Sequence, residues 1–252
     1  MSAAVGSEPH STYTDATAKH GTGDPSLDAA APELKGARRL QMIRLACAFN
    51  FRPDDYIHPS RWPVEWPLPY RDASIFQERG RRALAAGLLA YAGVAEAYDF
   101  HFATRAARLA LLPPAALMRL ADGLGIALYL SWLTESGSRR VDRTITAAFG
   151  GDALDFAFER MPRFDAFGET LEPVKSQPKQ LVARIRHRGG RLLTDFVAPY
   201  GDPLLQRLRL KLSVEIDAEP PYLMSTAQRE QVAELLFICL IPERLSTWDW
   251  LF

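Results

Sequence analysis

The chain has 252 residues, 48% of them hydrophobic and 10% aromatic, with thirty Lys and Arg balancing thirty Asp and Glu. That length is soft evidence for one large domain or two small ones, with enough apolar surface for a substantial core. The neutral balance gives no general reason to expect nucleic acid or an anionic membrane as partner.

Residues 1–36 are rich in Ser, Thr, Ala, Gly, Asp and Pro, lack apolar periodicity and carry five acids against two lysines. Such a segment cannot bury enough surface to offset its ordering entropy and reads as a disordered tail. Its start has no basic region followed by an apolar run, so no secretory signal is expected. From Ala37 the spacing of Leu40, Ile43 and Cys47 predicts a helix up to the turn chemistry of Arg52-Pro53-Asp54.

The stretch FRPDDYIHPSRWPVEWPLPY, residues 51–70, then sets five prolines among Phe51, Tyr56, Trp62, Trp66 and Tyr70. Each X-Pro pair pushes the preceding residue toward extended geometry, so the stretch is neither continuous helix nor central strand. Its first reading is a strap that packs its aromatics onto the helical body. Its second is an exposed recognition surface, since proline-fixed backbone loses little entropy on docking and Trp and Tyr are large anchors. His58 has no neighbouring second ligand and reads as a hydrogen-bonded packing residue.

A helical block from about Ala73 to Leu111 keeps Leu84, Leu88, Tyr91, Ala95, Tyr98, Phe102, Ala106 and Leu109 on one face, with Asp99 the candidate break. Two short buried helices are expected over 115–121 and 124–134 around Gly123 and Gly125. Two more follow over 138–150 and 152–160, the latter with Asp152 as N-cap. Residues 163–175 read as a loop. Ser176 is expected to cap a helix from Pro178 that stays apolar on one face across Gly189-Gly190. Asp202-Pro203 opens another through Leu212, although the alternation Leu208, Leu210, Leu212, Val214, Ile216 also fits a strand. The final helix, 226–240, begins with a capping box of Ser225 and Gln228, and Pro242 starts a terminal turn ending in Trp248, Trp250, Leu251 and Phe252. The fold class is mainly α: a single compact multi-helix domain over 37–252 behind the tail.

The two cysteines, Cys47 and Cys239, sit in apolar helical patterns without a C-x-x-C and are expected as buried hydrophobes in a reducing compartment. The apolar-rich runs 83–95 and 123–133 fall short of the ~18–20 residues a membrane span needs, so a soluble, cytoplasmic chain without membrane insertion is expected. Histidines at 10, 20, 58, 101 and 187 show no zinc spacing, and neither a phosphate-binding glycine loop nor a nucleophile elbow is present. No catalytic residue, cofactor or metal is predicted. A helical enzyme or ligand sensor using Asp99 and His101 is the alternative, although on a helix those two side chains point apart.

The main charge feature is basic. Between 176 and 212, Lys179, Arg184, Arg186, Arg188, Arg191, Arg207, Arg209 and Lys211 meet only Asp195 and Asp202. Arg184, Arg188 and Arg191 share a helix face, which reads first as solvated and second as a docking face for an acidic partner. Nucleic acid ranks third, because no stacking aromatics interleave with the arginines.

At Phe51-Arg-Pro53-Asp-Asp-Tyr56-Ile-His58-Pro59, followed by a Trp-Pro pair at Trp62, the sequence resembles the SctK/YscK family of type III secretion proteins. The likeness continues through the Ala/Leu-rich body, Arg207-Leu-Arg-Leu-Lys-Leu212, the helix over 226–240 and the aromatic end. It covers most of 45–252, and only the first motif is distinctive. Ser213 stands near where the family carries a proline, and the family has no counterpart of the long tail. The resemblance implies a mainly helical, cofactor-free adaptor of the cytoplasmic sorting platform. Its expected partners are the forkhead-associated-like domain of the inner-membrane ring and the spoke protein of the cytoplasmic ring, and through the latter the stalk and ATPase. Phe51, Pro53, Tyr56, His58, Trp62 and Trp66 are then the candidate partner-binding signature. A secretion chaperone, which would bind exported substrates, is an intermediate reading.

Overall fold

Two helices that meet at glycine organise the chain. The structure, a computed structural model, describes residues 31–164 and 167–252; most of the expected tail, 1–30, lies outside the described residues. Helix α4 (Pro114–Leu128) and helix α8 (Pro178–Val197) both open with proline in the first turn, where the missing N–H costs nothing. They approach until their backbones touch. A Cβ built on Gly125 would stand 2.1 Å from the Ile185 carbonyl oxygen, and one on Gly189 would stand 1.9 Å from that of Ala121. Gly123 and Gly125 are therefore contact points inside α4, and the break expected there falls further on. The chain turns only at Tyr129, where α5 (Leu130–Ser136) departs at 57°.

Around this crossing α1 (Gly36–Phe51), α3 (Arg105–Leu109), α6 (Arg139–Phe149), α7 (Ala153–Arg160), α9 (Asp202–Leu210) and α10 (Thr226–Glu234) share one core. Helix α2 (Glu78–Tyr91) instead buries Leu84, Ala85, Leu88 and Leu89 beside α1 and the Pro53–Asp55 turn. Helix α10 begins with the expected capping box, with both reciprocal bonds made. It runs on through a π-helical segment, Leu235–Leu240, into α11 (Ile241–Arg244), past the expected end. Among the described residues there is no strand, and no single helix is long and apolar enough to cross a membrane.

Several expectations are corrected. The block over 73–111 does break around the candidate position Asp99, but more widely than expected: α2 ends at Tyr91, Gly93 takes φ +70°, and 92–104 is irregular up to the short α3. The cause lies far away in sequence. Asn50 donates to the Asp99 carbonyl at 2.6 Å and accepts from the Asp99 N–H at 2.9 Å, replacing helical partners there. The alternating 208–216 stretch is α9 followed by a 3-10 turn, Val214–Ala218. Asp152 makes no cap bond and pairs with Arg244, and Gln177 rather than Ser176 stands at the start of α8. Cys47 is exposed and Cys239 half-buried, not core residues. Residues 31–35, expected as tail, join the body: Ala31 donates to the Ala103 carbonyl at 2.9 Å and Leu34 is buried.

Three buried cations bond to backbone carbonyls instead of acids. Arg108 donates to the carbonyls of Phe102, Pro32 and Leu251, and Arg207 to those of Ala97, Val94 and Pro203. Lys211 donates to Ala110 at 2.6 Å and Leu112 at 2.7 Å, beneath the Phe49 and Tyr56 rings. Irregular backbone leaves such carbonyls without helical donors, and these side chains supply them.

Burial pushes the Lys211 amine down to about 7 from 10.5. Between those values the unfolded chain binds one more proton than the folded chain, so stability rises with pH. From pH 7 to 9 the gain attributable to Lys211 is expected to be about 2 kcal/mol. Urea melts of the wild type and Lys211→Met at both pH values test this: the variant should lose that increment, and identical pH slopes would refute it.

Candidate functional site

In the Pro-aromatic stretch, prolines start tight turns instead of a rod. Pro53–Asp55 and Pro59–Arg61 are single 3-10 turns with proline at the start. Between them Tyr56 is buried, its hydroxyl donating to the Phe49 carbonyl at 2.7 Å and its ring lying over the Lys211 amine. Pro53 is buried too, and the Asp54 carboxylate accepts from Arg52 and Arg81, clamping the turn between α1 and α2. The His58 N–H donates to the Leu210 carbonyl at 2.7 Å, while its Nδ1 accepts from the Ser60 N–H. Burial and neighbouring Arg61 hold the imidazole below its ordinary pKa, which favours this neutral, accepting form. Arg61 completes the seam on the Leu212 and Ser213 carbonyls and the Asp217 carboxylate. The opening motif and the Arg207–Leu212 segment, far apart in sequence, are thus one structural unit.

The second half behaves differently. Trp62 and Trp66 are half-buried with ring centroids 6.2 Å apart, and Trp66 lies on α2 where Gly87 makes room for it. Arg71 donates to the carbonyls of Val64 and Trp66, folding the loop back on itself. That fold turns Val64, Leu68, Tyr70 and Ile75 outward, Val64 being 78% and Leu68 75% exposed. Beside them a cleft of about 430 Å³ is lined by Trp66, Pro67, Tyr70, Phe76, Ala83 and Leu84. The strap reading holds for residues 52–61 and for Trp66 on α2, while Val64, Leu68, Tyr70 and Ile75 present an apolar surface. Phe51 stands apart from both, half exposed against Tyr98 and Phe100.

The arginine face on α8 is not an open docking face. Arg188 is buried; it donates to Glu169 through Nε and Nη2 and to the Pro220 carbonyl at 2.6 Å, with the Tyr222 ring 4.0 Å away. Arg191 pairs with Asp195 at 2.8 Å and Arg184 with Glu219 at 2.7 Å, Arg184 alone keeping substantial exposure. Tyr129 and Tyr222 hydroxyls also donate to Glu169. Burial raises the Glu169 pKa, but hydrogen bonds from Tyr222 and Arg188 outweigh it and hold the carboxyl below its ordinary range. Glu169 and Glu219 come from non-helical stretches without periodicity, so sequence reasoning had no signal for them. The network is a latch that fastens the 167–175 loop to α4 and α8.

Asp99 and His101 form a turn, the carboxylate accepting the His101 N–H at 2.7 Å while the imidazole is 98% exposed. A mixed cleft of about 350 Å³ between α4, α7 and α11 is lined by Asp152 and Arg244, which pair with each other, by Asp122, which pairs with Arg186 of α8, and by Arg119 and Glu243. Among the described residues no His, Cys, Asp or Glu group converges as a metal site would require. Comparison of the chain with protein-family models, with curated proteins and with solved structures gives no match.

Proposed function

We propose that the chain is a non-enzymatic adaptor of a bacterial type III secretion sorting platform, joining the inner-membrane ring to the cytoplasmic-ring spoke protein at the cytoplasmic face of the inner membrane. The observation that supports this most is the composite strap. Residues 51–61, which carry the family-like motif, are fastened to the Arg207–Leu212 segment and hold the apolar surface of 62–76 outward. Rigid aromatic and aliphatic anchors at low entropy cost are what a protein-binding surface requires.

The test is an affinity pull-down of the tagged chain from the bacterium that encodes it, during active secretion and after mild crosslinking. Recovery of spoke, stalk, ATPase and inner-ring proteins is expected; recovery of exported substrates instead would assign a chaperone, and recovery of neither would end the secretion reading. Val64→Asp with Leu68→Asp is expected to weaken capture of one of these partners at least tenfold, about 1.4 kcal/mol or more. Because both side chains point to solvent, the melting temperature should stay within a few degrees. Unchanged capture would take the 62–76 surface out of the interface.

A further inference from the structure

Helix α1 has apolar residues on two faces, and only one of them is buried. Ala46 and Phe49 enter the core, with Met42 and Leu45 half-buried beside them. Leu40, Ile43, Cys47 and Phe51, at steps of three and four, face solvent, Leu40 and Ile43 being 51% and 50% exposed. At one end Phe51 extends the stripe to Tyr98 and Phe100, at centroid distances of 5.0 and 6.2 Å. Beside Ile43 a cleft of about 450 Å³ opens between α1 and the 100–102 segment, lined by Leu34, Met42, Ile43, Phe100 and Phe102 with Arg39 at its side.

The charge carried by α1 itself is of one sign. The helix GARRLQMIRLACAFNF carries Arg38, Arg39 and Arg44 and no acid, and Lys35 precedes it. None of the four pairs with an acid among the described residues, whereas Arg184, Arg186, Arg188 and Arg191 all do. Of the nearby acids, Glu33 borders the cleft, Asp99 binds the His101 N–H, and Asp54 and Asp55 are held by Arg52 and Arg81.

We infer that the outward face of α1, with the cleft beside it, is a docking site for an acidic amphipathic helix of a partner protein. The stripe from Leu40 to Phe51 spans roughly 16 Å, about three helical turns. A partner helix with apolar anchors at matching spacing would lay them along it, insert one into the cleft, and set carboxylates against Arg39 and Arg44. A second copy of the same face would oppose arginines to arginines. A flat lipid surface would meet the cations but leave the cleft unfilled. The inference rests on reading the chain as a binding module, and not on which apparatus it serves.

The experiment replaces Leu40 with a genetically encoded benzophenone amino acid in the full chain, irradiates living cells and sequences the crosslinked peptide. The expected peptide has apolar residues at helical spacing and a net negative flank. Synthesised alone, it should bind the purified chain, lose at least tenfold in affinity with Arg39→Glu plus Arg44→Glu, and regain it when its own acids are changed to lysine. Ile43→Asp should abolish binding with an unchanged melt. A crosslink to a second copy, to residues 1–30 of the same chain, to lipid or to a peptide without acids, or no crosslink at all, would overturn the inference. The identity of the parent protein separately tests the secretion reading, so either can fail while the other stands.

Discussion

Gly189→Ala is expected to cost about 4 kcal/mol or more and to lower the melting temperature by at least ~10 °C. The added Cβ would fall 1.9 Å from the Ala121 carbonyl oxygen and 2.5 Å from the Gly125 nitrogen. Both are backbone atoms held by helix hydrogen bonds, so no side chain can rotate away to make room. Either α4 and α8 move apart, opening the layer of Leu and Ile around them, or the chain fails to fold. Protein interiors are packed at crystal-like density, which is why one carbon matters so much here. Gly151→Ala is the control, because nothing stands within 4 Å of the added carbon. Thermal melts of both variants decide the matter; a Gly189→Ala melt within two degrees of the wild type would show that the crossing is looser than described.

The second large effect belongs to Glu169. Glu169→Ala removes the acceptor shared by Tyr129, Tyr222 and Arg188 and leaves the buried Arg188 with the Pro220 carbonyl and a 3.8 Å approach to Glu219. Breaking one side of a buried ion pair costs about 3–5 kcal/mol, because the remaining charge keeps its desolvation penalty. Glu169→Gln keeps an acceptor and should lose roughly half as much. The carboxyl's pKa is lower in the folded chain than in the unfolded one. Its contribution is therefore complete above the ordinary Glu value and disappears as pH falls through the folded value. Urea melts at pH 6 and pH 3 should show the wild type losing more stability than Glu169→Gln. Equal losses would place the acid sensitivity elsewhere.

The helices that were legible in the sequence carry both periodicity and a marked start: Pro178 for α8, Pro203 for α9 and the Ser225–Gln228 box for α10. Illegible features depend on partners distant in the chain. Nothing near Asp99 announces that Asn50 will take its backbone groups, and nothing near Arg188 announces Glu169. Helix α1 shows a different limit. Periodicity revealed the stripe Leu40, Ile43, Cys47, but the helix has a second apolar face, and which of two such faces enters the core is decided by the rest of the fold. For the candidate surface, composition identified the Pro-aromatic stretch as special. The end of the seam at residue 61 could not be read, because it is set by where residues 210–217 supply carbonyls and a carboxylate.

That seam also bears on biosynthesis. His58 and Arg61 take their partners from residues 210–217, so on a growing nascent chain these two have nothing to dock against until about 150 further residues have been polymerised. At ~5–20 residues per second this delay is on the order of ten seconds. During it Trp66 can already settle on α2, about twenty residues further along, while His58 and Arg61 wait for their partners, so the strap closes in two stages.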